Sequence, residues 1–83
     1  MRYTVCWRPS AERKLTEIWQ SSSDKLAVTN ASNEIDLLLK TRPHDVGESR
    51  GGTARHLSLS PLAIYYEIND DDRTVDVRVV FSV

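Results

Sequence analysis

The chain has 83 residues, 40% of them hydrophobic and 28% charged. That length holds one hydrophobic core and leaves no room for a second, and the composition is that of a folded chain, not a disordered or low-complexity one. Eleven Lys and Arg stand against twelve Asp and Glu, a net charge of −1; proteins that work on phosphate backbones are usually basic, so this balance weighs against a broad nucleic-acid surface.

Cys6 is the one cysteine, which excludes an intramolecular disulfide and a CxxC zinc site. The start, Met1 to Trp7, lacks the apolar run of a signal peptide, and no stretch approaches a membrane span. There is no internal repeat. The expectation is one cytoplasmic domain over residues 1–83, with no membrane contact.

In chain order, Arg2 to Arg8 alternates, with Tyr3, Val5 and Trp7 predicted inward on a short strand. Pro9 ends it, and Ser10 is the expected cap of a helix that carries Ala11, Leu15, Ile18 and Trp19 on one face. Ser21 to Ser23 breaks that helix. Asp24 is the expected cap of a second, which runs to about Thr41. Its stripe is Ala27, Ala31, Ile35 and Leu38, thickened by Val28 and Leu39. A short polar link predicts a helical hairpin. Both indoles, Trp7 and Trp19, are expected in the core.

Arg42 to Gly52 reads as a long loop. Three strand-like runs follow: Thr53 to Ser60, Pro61 to Asn69, and Arg73 to Val83, with Asn69 to Asp72 as a turn. Parity predicts Leu57, Leu59, Leu62, Ile64, Tyr66, Ile68, Val75, Val77, Val79 and Phe81 inward. Outward fall His56, Ser58, Ala63, Tyr65, Glu67, Asp76, Arg78, Val80 and Ser82. The fold class is α+β, in the order β-α-α-β-β-β, with a helical hairpin on one face of a mainly antiparallel sheet. The other face stays open.

Several pieces in this order carry a resemblance. They are Tyr3-x-Val5-x-Trp7 leading into Ala11-x-x-x-Leu15-x-x-Ile18-Trp19, and Ala31-x-x-x-Ile35-x-x-Leu38. The passage from Pro43 through Gly47 to Gly52-x-x-Arg55-x-Leu57 follows, then Leu62 to Ile68 and Asp72 to Val79. The set resembles the RelE/ParE family, the toxins of bacterial type II toxin–antitoxin and plasmid-stabilisation systems, over nearly the whole chain. The resemblance implies a compact toxin neutralised by a cognate antitoxin that wraps it. It also implies one of two targets: mRNA on the ribosome, cut without a metal or cofactor, or DNA gyrase, poisoned by binding.

Metal-independent RNA cleavage needs a base for the 2′-OH, cations for the phosphorane-like transition state and an acid for the leaving oxygen. On the open face the candidate catalytic residues are His56, Arg78 and Tyr65, and the candidates for RNA or target binding are Arg50, Arg55 and Arg8. The set is thin. RelE-like members often have an Arg where this chain has Ala63, and a His with a basic tail where it has Ser82. Glu67 and Asp76 repel phosphate. Each missing donor in such a site costs about a hundredfold or more in rate.

Plainer roles stand beside these. His56 can be a solvated strand residue, Tyr65 an antitoxin contact, and Arg55 the partner of Glu67 or a cap on the loop. His44 and Glu48 have metal-pair spacing only on a helix, which Pro43 and Gly47 oppose; Cys6 is expected to be inert. The expected function is therefore a ParE-like toxin that acts by binding. The alternatives are a ribosome-dependent endoribonuclease and a non-catalytic module that binds its antitoxin or pairs with itself, since exposed sheet edges invite a homodimer or strand addition.

Overall fold

The computed structural model describes residues 2–83. Its elements are β1 (Thr4–Trp7), α1 (Pro9–Ser21), α2 (Lys25–Thr41), β2 (Glu48–Ser49), β3 (Ala54–Leu59), β4 (Leu62–Asn69) and β5 (Thr74–Ser82). The strands form one mixed sheet in the order β1-β5-β4-β3-β2. β1 runs parallel to β5, and the other pairs are antiparallel. The helical hairpin covers one face, α1 against β5 and α2 reaching β1 and β4. This is the expected α+β arrangement, with one strand more than the sequence predicts: β2 forms inside the stretch read as a loop.

β4 is the middle of the core. Leu62, Ile64, Tyr66 and Ile68 are buried, as alternation predicts. With Val75 and Val77 they meet Ala11, Ile18, Val28, Ala31, Ile35 and Leu39 from the helices. Tyr3, Val5 and Trp7 point to this side and are half-buried, because β1 lies at the sheet edge.

The helix details correct the sequence reading in three places. Arg8, not Ser10, occupies the cap of α1, with no side-chain bond, and Pro9 is the first helical residue. Proline loses nothing there, since that N–H has no helical partner and its φ already suits the turn. Asp24 does cap α2, accepting from the Ala27 N–H at 3.0 Å. The buried line of α2 is Val28, Ala31, Ile35 and Leu39, one step round from the predicted line through Ala27 and Leu38; burying Val28 in place of Ala27 removes more apolar surface from water. Trp19 is not a core residue. It is 41% exposed, its indole N–H donates to Thr29 Oγ1 at 3.2 Å, and the Lys25 ammonium sits 5.3 Å from its ring centre.

β5 corrects the predicted faces. Tyr65 pairs with Val79 and Tyr66 with Val77, so Arg78 is an extra residue. This is a β-bulge, and side-chain parity flips beyond it. Val80 is buried, while Val79 is 49% exposed and outward. Phe81 also turns outward, against the inward prediction. Ser82 turns to the helix side, where it lines a cleft with Lys14 and Ile18.

The connection from α2 to β3 is pinned to the sheet rather than loose. Pro43 is buried, and the Tyr66 hydroxyl lies 2.8 Å from both the Pro43 and Val46 carbonyl oxygens. Burial pushes the Tyr66 phenol up from its ordinary pKa, which keeps it a proton donor. Arg55 donates to the Val46 and Gly47 carbonyls at 3.2 to 3.3 Å. On the far side His44 Nε2 meets Asp70 Oδ1 at 2.8 Å, and the Tyr3 hydroxyl donates to the same oxygen at 2.7 Å. Gly47 has φ +72, and a Cβ there would sit 2.6 Å from the His56 carbonyl oxygen.

Two substitutions test this pinning in urea denaturation. Gly47→Ala should cost about 2 kcal/mol or more, through clash and backbone strain together. Gly51→Ala, with open space around it, should cost less. Tyr66→Phe leaves the buried Pro43 carbonyl without its donor, while Arg55 still serves that of Val46, and should cost about 1 to 3 kcal/mol.

Candidate functional site: the open sheet face

The register sets out the uncovered face in rows, about 7 Å apart along the strands. At the β4–β5 turn are Thr4, Thr74 and Asn69. Next come Cys6, Asp76, Glu67 and Ala54. The third row holds Arg8, the bulged Arg78 with Val79, then Tyr65, His56 and Glu48. The last has Phe81, Ala63 and Ser58. Four of the six predicted site residues therefore share this face: His56, Tyr65, Arg78 and Arg8. Arg50 follows β2 at the sheet edge. Arg55 does not join them; it points to the helix side and holds the connection, the loop-capping role.

The cations are paired. Arg8 Nε contacts Asp76 Oδ2 at 2.9 Å. Arg78 donates to Glu67 Oε1, and Thr53 Oγ1 donates to Glu67 Oε2 at 3.0 Å. Arg50 Nη1 meets Glu48 Oε2 at 3.2 Å. The Thr53 hydroxyl, followed by the Arg78 guanidinium, holds the Glu67 carboxyl below its usual range. These exposed pairs contribute little to stability, but they decide what the face offers: each guanidinium already has an anion.

The other end of the face is aromatic. The His56 and Tyr65 rings lie 5.0 Å apart, His56 and Phe81 6.2 Å, and Tyr65 and Phe81 5.9 Å. Ala63 faces outward between Ser58 and Phe81, yet it is completely buried. An Arg at that position would have to displace this cluster. Among the described residues no side-chain hydrogen bond orients the His56 imidazole, so nothing fixes its tautomer as a general base requires. Tyr65 is 38% exposed, its ring in the cluster.

Between the second row and the β4–β5 turn lies a hollow of about 720 Å³. Its lining includes Glu67, Asp70, Asp71, Asp76, Cys6 and Thr53, and no Lys or Arg. The bond from His44, then that from Tyr3, holds the Asp70 carboxyl below its usual range, and the bond to Asp70 raises the Tyr3 phenol. No group of three His, Cys, Asp or Glu among the described residues is placed to hold a metal ion. None of the helices described is long and apolar enough to cross a membrane.

Sequence reasoning missed Val79 and Phe81 as surface residues. The signal was present: Val79-Val80-Phe81 is three apolar residues in a row, which strict alternation cannot place on one buried face. It also misplaced Ser82, so the absence of a His there says nothing about this face.

Comparison with known proteins places this geometry. No protein-family model and no curated protein sequence matches the chain. Solved structures do. A chain of the RelBE2 toxin–antitoxin complex from Mycobacterium tuberculosis superposes with a TM-score of 0.79 at 22% identity, over 100% of both chains. A chain of a chromosomal ParDE toxin–antitoxin system from P. aeruginosa gives 0.76 at 15% identity, over 99% of this chain and 97% of that one. The intact E. coli RelBE toxin–antitoxin complex gives 0.66 at 15%, over 98% and 96%. Two helices on a mixed five-stranded sheet are thus the RelE/ParE toxin fold. At these identities the likeness is one of fold.

The ion pair on Glu67 has a pH signature. A carboxyl whose folded pKa is depressed adds stability above its ordinary pKa and loses it as pH falls through the folded value. The stability gap between the native protein and Glu67→Gln should therefore be present at neutral pH and close as pH falls below the ordinary carboxylate range, as read by denaturant midpoints across an acid titration.

Proposed function

We propose that this chain is the toxin of a bacterial type II toxin–antitoxin pair, acts in the cytoplasm by binding its target, and is neutralised by a cognate antitoxin. The fold supports the toxin reading. One observation favours binding over cleavage: the arginines of the open face are each tied to a carboxylate, Arg8 to Asp76 and Arg78 to Glu67, while Arg55 faces the other way. A phosphorane-like transition state needs cations free to meet its charge, and here each would first have to leave an anion. With a target of ParE type, DNA gyrase is the protein to test.

The nuclease reading rests on His56, Tyr65 and Arg78 sharing one face. Induced expression with and without the neighbouring antitoxin frame separates the two. The binding toxin should arrest growth, induce a DNA-damage reporter, and keep its toxicity within about twofold on His56→Ala. Arrest of translation that falls about a hundredfold or more on His56→Ala and Arg78→Ala, with the variants still folded, would identify a nuclease instead. Growth unaffected by abundant soluble protein would sink both toxin readings.

A further inference from the structure

The outer side of α2 carries two leucines that the core does not use. The buried line of this helix is Val28, Ala31, Ile35 and Leu39. On the opposite side Leu26, Asn30, Asn33 and Leu37 form a second line, at the i, i+4, i+7, i+11 spacing of one helical face. All four are exposed, Leu26 at 68% and Leu37 at 57%. A helix that packs on a sheet along one side needs no apolar residue on the other. Trp19, whose indole is bonded to Thr29 beside this line, adds exposed apolar surface at its Leu26 end.

The order Leu-Asn-Asn-Leu reads the same in both directions. Two copies of α2 laid antiparallel across a two-fold axis therefore set Leu26 on Leu37 of the other copy, and Asn30 beside Asn33, twice over. Leucine layers stand at the ends and facing amides at the centre. An amide both donates and accepts, so such pairs satisfy each other, and a polar layer in a helical seam fixes its register. Charge selects the direction. Lys25 is folded back on α1, its ammonium against the Trp19 ring and the Gln20 and Ser22 carbonyls. That leaves the Asp24 carboxylate at this end of the helix, while Lys40 lies in the last turn. A parallel pair would put Lys40 against Lys40, one turn beyond Leu37. The antiparallel pair carries Lys40 to the Ser23–Asp24 link of the other copy and brings opposite dipole ends together.

From this we infer that α2 is the interface of a two-fold dimer of this chain, with Leu26, Asn30, Asn33 and Leu37 as its antiparallel seam. Two leucine layers around a polar centre give a small interface, so the dimer forms as concentration rises and is not permanent. Helices meet in the middle of this dimer and the sheets lie outside. Both uncovered sheet faces stay free and turn away from each other. Two linked copies then gain avidity for any partner that can reach both faces, through effective concentration.

The test uses the purified full chain. Sedimentation velocity should show a monomer–dimer equilibrium whose Kd rises about tenfold or more on Leu37→Glu and is unchanged on Val79→Lys, which alters the open sheet face. Both positions are exposed, so circular dichroism should show both variants folded. Direction is read by cross-linking in a Cys6→Ser background, with Leu26→Cys and Leu37→Cys made in separate chains and treated with a short bismaleimide. Like positions stand roughly 16 Å apart along an antiparallel seam, beyond its reach, while positions 26 and 37 of opposite copies are neighbours. The two chains should cross-link when mixed, and neither with itself. A chain that stays monomeric up to about 1 mM overturns the proposal. So does association that Leu37→Glu leaves intact, a mixture that fails to cross-link, or either chain cross-linking with itself, the mark of a parallel pair or another surface. Growth plays no part in these measurements, so the dimer stands or falls apart from the toxin reading.

Discussion

β5 has one residue more than β4 can match opposite Tyr65 and Tyr66, and the outward surface of the protein follows from where that residue sits. The two strands pair in register from Asn69 and Thr74 as far as Tyr66 and Val77. Arg78 then stands unpaired, and every side chain after it changes sides. Val80 enters the core in place of Val79. Val79 and Phe81 join Tyr65 and His56 outside. A strict alternation would have buried those two apolar groups and left a polar, flat surface. The bulge instead builds an aromatic strip where a simple strand has none, and it holds Arg78 where it reaches Glu67.

The two faces divide the arginines between them. Arg55 goes inward and, with the Tyr66 hydroxyl, satisfies carbonyls that the α2–β3 connection would otherwise bury without a donor. Arg8 and Arg78 go outward and are neutralised there. A chain with eleven basic residues thus presents an open face on which carboxylates, not cations, are in surplus. The same fold can carry a phosphate-handling surface or a peptide-binding one, because the sheet fixes positions and the side chains at those positions supply the chemistry.

Much of the fold was legible because burial repeats with a short period. Leu62 to Ile68 alternates without interruption, and all four predicted inward residues are buried. Asp24 was readable as a cap from residue type alone. What was not legible depended on partners far away in the chain. Nothing near Arg8 names Asp76, and nothing near Arg55 names the Val46 carbonyl. The two residues of β2 are too few to show a period. In α2 two adjacent apolar lines competed, and packing against the sheet decided between them. The cap of α1 went to Arg8 because Pro9 prefers the first helical turn, a backbone preference that outweighed the serine hydroxyl of Ser10. The candidate site was half readable: parity brought His56, Tyr65 and Glu67 to one face, and failed for every residue beyond the bulge.

The parallel pairing of β1 with β5 ties the order of assembly to the order of synthesis. Among the described residues Thr4 to Trp7 pair only with Thr74 to Val77, so the first of these strands waits for the last. Until then α1 and α2 have neither the completed sheet nor Val75 and Val77 to pack on. Closing so long a loop is paid in chain entropy before the contacts return it, the condition that slows folding of non-local topologies. The open face, which needs β4 and β5 side by side with the bulge in place, is therefore the last surface to exist. A chain that lacks β5 has neither the bulge nor the surface it builds.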